Sequence, residues 1–453
     1  MIDPSIFKAY DIRGIYPIQL DEELAFKIGC AYSELLKKEN PGKQLSVAVG
    51  CDMRTSTPSL KEKVIQGLLD SGINVTDVGL VSTPTYYFSV AFYSFDGGIQ
   101  VSASHNPKEY NGFKLTRAKA VPISGDTGMY DVRDAAVKGE FDSVTKKGVL
   151  SSKGEILQEL VKEQTKGIDI TKIKPLKIAV DAANAMGSLD IDAMFKGLPI
   201  SLIKLNFDLD GTFPSHQPDP LQDANLVPTQ KSVVENNADL GIVPDGDGDR
   251  YFFIDEKGQV IRQEILRGIM AQLALKEFPG ATVCYDIRPG KITKDMIEAV
   301  GGRASVTKVG HSLIKEQMIR ESAVFGGESS GHYFYKFDFG TFESPVRLVL
   351  KFLGFISEQG KPVSEIVAPY KVYFHSGEIN EKVSDAKAKI DEIKQKYSNG
   401  HESFLDGVTV EYDDYWFNVR SSNTEPLLRL NLEAKSNELM KQKRDEVLAI
   451  IRS

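Results

Sequence analysis

Three times along this chain, apolar strand-like runs alternate with amphipathic helix-like segments, and each pass closes on a polar loop rich in glycine or serine. The first pass predicts a helix over Asp21 to Lys38, a strand LSVAVGCD (45–52), a helix PSLKEKVIQGLLDSG (58–72) and a strand INVTDVG (73–79), then helix-like TPTYYFSVAFYS and GGIQVSAS. After an expected linker near Gly139 to Ser152, the second pass runs through a helix GEILQELVKEQTKG, a strand LKIAVDAAN (176–184) and a helix around Leu189 to Lys196. A strand ISLIKLN (200–206), a helix around Thr229 to Asn237 and LGIVPDGDGDR (240–250) complete it. The third has a helix over Gln263 to Glu277, ATVCYDIR (281–288), a helix around Lys294 to Val300, RASVTKVG (303–310), a helix from His311 to Arg320 and AVFGGESSGH (323–332). Such alternation indicates parallel sheets covered on both faces. Ligands in these sheets bind beyond the carboxyl ends of strands, so three such loops can face one cleft.

From about Pro369 the rhythm changes. A strand YKVYFHSG, a helix over 384–398, strand-like GVTVEY and YWFNVR, the string RSSNTEP, a strand LLRLNLEA and a last helix read as a smaller α+β domain. At 453 residues the chain is too long for one core and should hold three or four domains.

A net charge of −8 argues against nucleic acid or an anionic membrane as the main partner, although a local basic pocket can still take a small phosphate. Cys30, Cys51 and Cys284 are odd in number and lack CxxC spacing, so they read as buried structural thiols. The stretch MIDPSIFKAYDIRG has no apolar signal segment and no long apolar run occurs, so a cytoplasmic protein is expected.

PDGDGDR is the most informative string. Asp245, Asp247 and Asp249 alternate with glycines, so a tight turn brings three carboxylates together, and oxygen-only ligands suit Mg²⁺, Mn²⁺ or Ca²⁺ rather than zinc. An EF-hand would share the DxDxD spacing, yet Arg250 falls where that loop needs glycine and YFFID reads as a strand. Serine is a weak nucleophile unless a base, a metal or a lowered pKa activates it. In VSASHNP, Ser104 sits at a strand end, His105 and Asn106 can orient or donate, and Pro107 restricts the loop. Alone, Ser104 would be a turn residue. Beside a tri-aspartate site, a cation would lower the cost of charge on a seryl phosphate. Lys114 in NGFK can neutralise a phosphate or move a proton, with a solvated lysine as the plain alternative.

RSSNTEP joins one fixed cation, Arg420, to Ser421, Ser422, Asn423 and Thr424, a set able to cradle phosphate, although such strings are commonly just turns. GGESSGH offers a carboxylate and hydroxyls suited to sugar hydroxyls. It also matches the GxSxG of serine hydrolases at Gly327, Ser329 and Gly331, with His375 and His401 later in the chain but no HGGG-like oxyanion loop. No P-loop and no HExxH occur. His216 reads as a turn residue, and His311 opens a helix whose amide end can receive phosphate.

Taken in order, KAYDIRG, VSASHNP with NGFK, PDGDGDR, GGESSGH and RSSNTEP closely resemble the α-D-phosphohexomutase superfamily, in particular phosphomannomutase/phosphoglucomutase, over essentially the whole chain. The resemblance implies three related α/β domains with mixed, mostly parallel sheets and a smaller C-terminal α+β domain around a central cleft. These fall at 1–150 with the phosphoserine loop, 151–255 with the metal loop, 256–368 with the sugar loop and 369–453 with the phosphate loop. It implies that Ser104 carries a phosphoryl group and that Asp245, Asp247 and Asp249, with a seryl-phosphate oxygen of Ser104, hold Mg²⁺. Glu328 and Ser330 would bind sugar hydroxyls, and Arg420, Ser422, Asn423 and Thr424 the non-reacting phosphate. Arg13, His105, Lys114 and Arg250 would line the reacting phosphate, with Lys114 as acid or base, and Arg288 and His311 would lie near the sugar phosphate.

The implied reaction is reversible transfer between the 1- and 6-positions of a hexose phosphate, of mannose or glucose, through a phosphoserine enzyme and a hexose 1,6-bisphosphate, which also serves as activator. The implied partners are small-molecule hexose phosphates, with no nucleic acid or membrane; a monomer is expected, and a dimer is compatible. The family's sugar loop often reads GEMSGH or GEESGH, and GEQSGH in phosphoglucosamine mutases, where this chain has Ser329; SASHNP stands where TASHNP is common. Phosphoglucosamine mutase, a non-catalytic sugar-phosphate binder and a serine hydrolase are the alternative readings.

Overall fold

The first apolar run forms the strand Ser46–Cys51, buried at every position but its first, and that burial on both faces is what its unbroken apolar sequence requires. It pairs in parallel with Asn74–Leu80 on one side and with Gly97–Val101 on the other. Tyr110–Arg117 then runs antiparallel to Gly97–Val101, and Ile12–Ile15 antiparallel to Tyr110–Arg117. The sheet is therefore mixed, and Lys114 and Arg13 enter it on adjacent strands. At its opposite edge lies Leu150–Ser152, parallel to Asn74–Leu80, where a linker was expected; its exposed residues lack the apolar signature of the inner strands. The computed structural model describes residues 2–421 and 427–453. Two compact units divide the chain: Met1–Ile261 with Ser330–Ile366, and Arg262–Ser329 with Val367–Ser453.

In the first unit, the helices Glu22–Glu39 and Thr57–Asp70 approach until backbones touch. A Cβ at Gly67 would lie 2.3 Å from the Phe26 carbonyl oxygen, and one at Gly29 2.5 Å from that of Val64. Asp21 caps the first helix by accepting from the Leu24 amide at 2.8 Å, with Glu22 and Glu23 in its first turn and Lys37 and Lys38 in its last, the polarity its dipole favours.

A second sheet in this unit orders Tyr251–Asp255, Leu240–Pro244, Leu176–Asp181 and Ile200–Leu205. The first two are antiparallel, with Tyr251 opposite Pro244, so PDGDGDR is the tight connection of a hairpin. A calcium-binding helix–loop–helix has no place there. The covering helix is Asp223–Glu235, starting six residues before the expected Thr229 because it continues through Pro228. Proline removes one amide hydrogen bond, but Asn225, Leu226, Thr229, Ser232 and Val233 keep one buried stripe across it. The hairpin Tyr333–Phe337 with Gly340–Glu343 and the helix Pro345–Gln359 also belong to this unit.

In the second unit, Thr282–Asp286 lies parallel to both Arg303–Thr307 and Phe325–Gly327, with the helices Gln263–Glu277, Lys291–Ala299 and His311–Glu321. The C-terminal part is an antiparallel sheet of Phe374–His375, Ile379–Lys382, Leu427–Ala434, Tyr415–Ser421, Val408–Glu411 and His401–Ser403 with the helices Ala386–Lys396 and Asn437–Arg452, the expected α+β arrangement. The strand expected over YKVYFHSG shrinks to Phe374–His375: the 3₁₀ turn Ala368–Tyr370 runs into its start, and at its end Gly377, at φ +70°, turns the chain before it rejoins the sheet. All three cysteines are buried free thiols, and burial pushes Cys51 up to about 11 and Cys284 up to about 12. No helix among the described residues is long and apolar enough to cross a membrane.

The glycine contact between the first two helices is testable. Gly67→Val should destabilise the full chain by about 1–3 kcal/mol in urea unfolding, through overpacking against Phe26.

Candidate active site

Beyond the strand Gly97–Val101 the chain turns so sharply that Ser104 takes a left-handed backbone, φ +52°, which non-glycine residues rarely adopt. Arg54 holds that turn. Its side chain is fully buried, and its two terminal nitrogens donate to the carbonyls of Ser104 and Asn106 at 2.7 Å each, Pro107 at 2.8 Å and Tyr110 at 3.0 Å. Asp52, equally buried, balances its charge from 3.2 Å. The Ser104 amide donates to Ser102 Oγ at 3.0 Å.

The acidic loop meets this turn. Ser104 Oγ donates to Asp245 Oδ2 at 3.0 Å. A Cβ at Gly246 would lie 2.3 Å from the Ser104 carbonyl oxygen, so only glycine permits the approach. Asp245 Oδ1 accepts from the Asp249 and Arg250 amides at 3.1 and 3.2 Å, which closes the loop on itself. Thr83, at the start of the helix Thr83–Phe92, binds Asp247 twice: its amide donates to the Asp247 carbonyl at 2.9 Å and its hydroxyl to Oδ2 at 2.5 Å. Behind it, Ser82 Oγ donates to Asp190 at 3.0 Å, and burial pushes that carboxyl up to about 7.

Asp245, Asp247 and Asp249 are all buried, each offering an oxygen within 4.8 Å of the others. Asp247 Oδ1 has no hydrogen-bond partner. Buried, converging, oxygen-only and partly unsatisfied, this donor set fits a hard divalent cation. Lys114 Nζ lies 2.7 Å from Asp247 and 2.6 Å from Asp249. Burial alone would lower its pKa, but the two carboxylates outweigh burial and hold the ammonium above its ordinary range. Burial, then the charges of Asp249 and Asp247, pushes Asp245 well above the usual carboxylate range. Asp247 feels the same burial and the Asp249 charge, yet falls below that range because Lys114 and Thr83 bond to it directly.

Cations and a neutral base surround this centre. Arg13 Nη1 donates to Asn106 Oδ1 at 2.5 Å and is anchored by Asp11. His105 Nδ1 lies 3.2 Å from Ser104 Oγ. Burial, and after it the Arg250 and Arg13 guanidiniums, drives the imidazole well below its ordinary pKa, so it is neutral. Arg250 Nε donates to His332 Nε2 at 3.0 Å, which leaves the imidazole proton on Nδ1. That nitrogen lies 3.5 Å from Asp249 and 3.6 Å from Glu343. Ser330, also in this unit, is buried.

The second unit carries the other expected residues. Arg288 donates from Nε to Asp286 Oδ2 at 2.5 Å, and its Nη2 lies 3.2 Å from Glu328 Oε1. The same Glu328 oxygen accepts from the Gly310 amide at 3.0 Å, immediately before His311 opens its helix. Arg420 donates to Glu378 at 2.6 Å. Burial opposes ionisation of Glu378, but Arg420 and Arg288 outweigh it and hold its carboxyl below the usual range. Ser422, Asn423 and Thr424 lie outside the described residues. The hydrolase reading fails here. Ser329 Oγ is hydrogen-bonded to Asp286 and Arg267, and the strand Phe325–Gly327 is followed by the strand Tyr333–Phe337 rather than by the helix a nucleophile elbow needs.

Comparison with known sequences agrees with these constellations. Residues 4–142, 158–258 and 264–373 match the alpha/beta/alpha domains I, II and III of phosphoglucomutase/phosphomannomutase, and 378–450 its C-terminal domain. The chain belongs to the phosphoglucomutase/phosphomannomutase family. It is 39% identical to a phosphomannomutase of Vibrio cholerae across 100% of this chain and 99% of the relative. A phosphomannomutase of Methanocaldococcus jannaschii is 38% identical over 99% and 98%. The crystal structure of a phosphoglucomutase/phosphomannomutase family protein from Burkholderia thailandensis superposes with a TM-score of 0.91 at 30% identity, covering 100% and 98%.

In this phosphohexomutase several residues of the centre went unseen in the sequence. The terminal nitrogens of Arg54 bind carbonyls, Thr83 acts as a helix-start residue, and Glu343 sits in a short strand, so none stands in a string rich in reactive groups. Glu378 and Asp286 share that anonymity. His332 was visible as the end of GGESSGH, and its approach to Arg250 arises from an isolated bridge between those two residues.

Arg54→Lys keeps the charge but offers one nitrogen for four carbonyls, and should lower isomerase turnover about a hundredfold by misplacing Ser104. Asp190 yields a pH prediction. Its folded pKa is raised, so its contribution to stability is present below its ordinary pKa of 3.8 and is lost as pH rises toward about 7. Asp190→Asn should flatten the decline of thermal stability over that interval, and an unchanged slope would disprove it.

Proposed function

We propose that the protein is a phosphohexomutase in which Ser104 carries the transferred phosphoryl group between the 1- and 6-positions of mannose or glucose phosphates. One observation carries the assignment of roles: Ser104 Oγ, buried, sits 3.0 Å from Asp245, one of three converging carboxylates, with Lys114 against the other two. A divalent cation such as Mg²⁺ held by Asp245, Asp247, Asp249 and a phosphoserine oxygen would neutralise the charge of the transferring group.

The chain's own residues do the rest. Arg13, Arg250 and Lys114 supply positive charge to equatorial oxygens, and Lys114, held as an ammonium by Asp247 and Asp249, acts by its charge and the hydrogen bonds it donates. In the forward step the sugar oxygen bonds to phosphorus, the bond from phosphorus to Ser104 Oγ breaks, and the net proton movement is from the sugar hydroxyl to Ser104 Oγ. Neutral His105, 3.2 Å from that oxygen, suits the relay. The product, a hexose 1,6-bisphosphate, then presents its other phosphate to Ser104 and restores the phosphoserine. In this reading Glu328 and Ser330 bind the sugar hydroxyls, Arg288 and His311 lie toward its phosphate, and Arg420 with Ser422, Asn423 and Thr424 grips the phosphate that does not react.

The test is direct. Ser104→Ala should lose isomerisation of mannose 1-phosphate and glucose 1-phosphate to background, and EDTA should abolish turnover of the unmodified protein until Mg²⁺ restores it. Intact mass after glucose 1,6-bisphosphate treatment should show one added phosphoryl group. None added, with no turnover, would establish a sugar-phosphate binder instead. A kcat/KM panel over mannose, glucose and glucosamine 1-phosphates assigns the sugar, and preference for glucosamine would make it a phosphoglucosamine mutase.

A further inference from the structure

Asp286 ends the strand Thr282–Asp286 with a fully buried side chain. Its two oxygens are divided. Oδ1 accepts from Arg267 Nη1 at 2.6 Å, from the Ser329 amide at 3.0 Å and from Ser329 Oγ at 2.8 Å. Oδ2 accepts from Arg288 Nε at 2.5 Å. Arg267, also fully buried, donates further to the Pro289 carbonyl at 2.8 Å and to Thr293 Oγ1 at 3.1 Å, so it braces both Asp286 and the segment that follows Arg288.

These contacts close a ring. From Asp286 the path runs to Ser329, along the chain to Glu328, across 3.2 Å to Arg288 and back to Asp286. Glu328 is fixed at its backbone side by its neighbour's amide and at its carboxylate by Arg288 and the Gly310 amide. A side chain held at both ends keeps one rotamer, the preorganisation that sugar recognition needs. Burial opposes charge on Asp286, but Arg288 and Arg267 outweigh it and keep the carboxylate ionised.

We infer that Asp286 is a positioning residue: braced by Arg267 and closed through Ser329, it sets Arg288 and Glu328 in one fixed relation at the sugar end of the site. Its own partners are Arg267, Arg288 and Ser329. The inference rests on the phosphohexomutase reading above, and on Glu328 as the group that reads the sugar.

Asp286→Asn cannot accept from both arginines and leaves a buried cation unpaired, so it would disturb folding as well as function. Ser329→Ala is the decisive variant, because it removes only the hydroxyl and leaves the Ser329 amide bonded to Asp286. It should raise KM for hexose 1-phosphates about three- to tenfold with a smaller change in kcat, and should move the ratio of kcat/KM between mannose and glucose 1-phosphates toward one. Ser329→Thr, which keeps a hydroxyl, should restore both. A general loss of stability would lower both sugars equally. Equal losses on the two sugars, or wild-type constants in Ser329→Ala, would overturn the inference while leaving the mutase reading intact. Absence of turnover by the unmodified protein on every hexose phosphate would overturn the mutase reading itself, and this inference with it.

Discussion

Three carboxylates that converge in a buried loop repel one another, and much of the first unit is arranged to contain that repulsion. At 4 Å and an effective dielectric of 20, each pair of like charges costs about 4 kcal/mol. The groups that bind the acidic side chains are positive or donors: Lys114 from one strand, Thr83 from a helix start, the loop's own amides on Asp245, and Ser104 Oγ from the opposing turn. A site so built is stable only while positive charge stays in it. A cation-dependent reaction on a phosphate is the chemistry such a site suits.

The second unit meets the same difficulty with ion pairs. Asp286 lies between two arginines, and Glu378 bonds Arg420 while feeling Arg288. Buried pairs of this kind return little net stability after desolvation, and their value lies in geometry, since an arginine fork admits few arrangements of its partner. Arg288, Glu328 and Arg420, the residues of this unit proposed to meet sugar and phosphate, are therefore fixed by charge as much as by packing.

How much of this was legible in the sequence depended on whether the chemistry was local. PDGDGDR could be read because three aspartates at alternate positions from 245 to 249 must share a turn, and the hairpin from Pro244 to Tyr251 fulfils it. Ser104 drew meaning only from that distant string, 141 positions away. Arg54 was illegible, because apart from Asp52 the partners it gathers are carbonyl oxygens that every residue possesses. Glu343 and Asp286 were illegible because single acids in strands look like ordinary strand residues until the fold brings a histidine or an arginine to them. In the fold, strands and helices followed their patterns closely. The exceptions have physical causes: a buried stripe that carried a helix through Pro228, an edge strand exposed throughout at Leu150–Ser152, and a strand trimmed by the turn Ala368–Tyr370 at its start and by Gly377 at its end.

The hold of Arg54 on the serine turn has an electrical meaning as well as a mechanical one. In a trans peptide the amide N–H points opposite to the carbonyl before it. Drawing the carbonyls of Ser104, Asn106, Pro107 and Tyr110 inward to one guanidinium therefore turns the N–H groups of the peptides that possess one away from it. The turn becomes a small polarised shell, negative within and positive without. With Asp52 balancing the guanidinium itself, what the turn presents outward is not a net charge but an ordered layer of dipoles, set by a side chain buried beneath it.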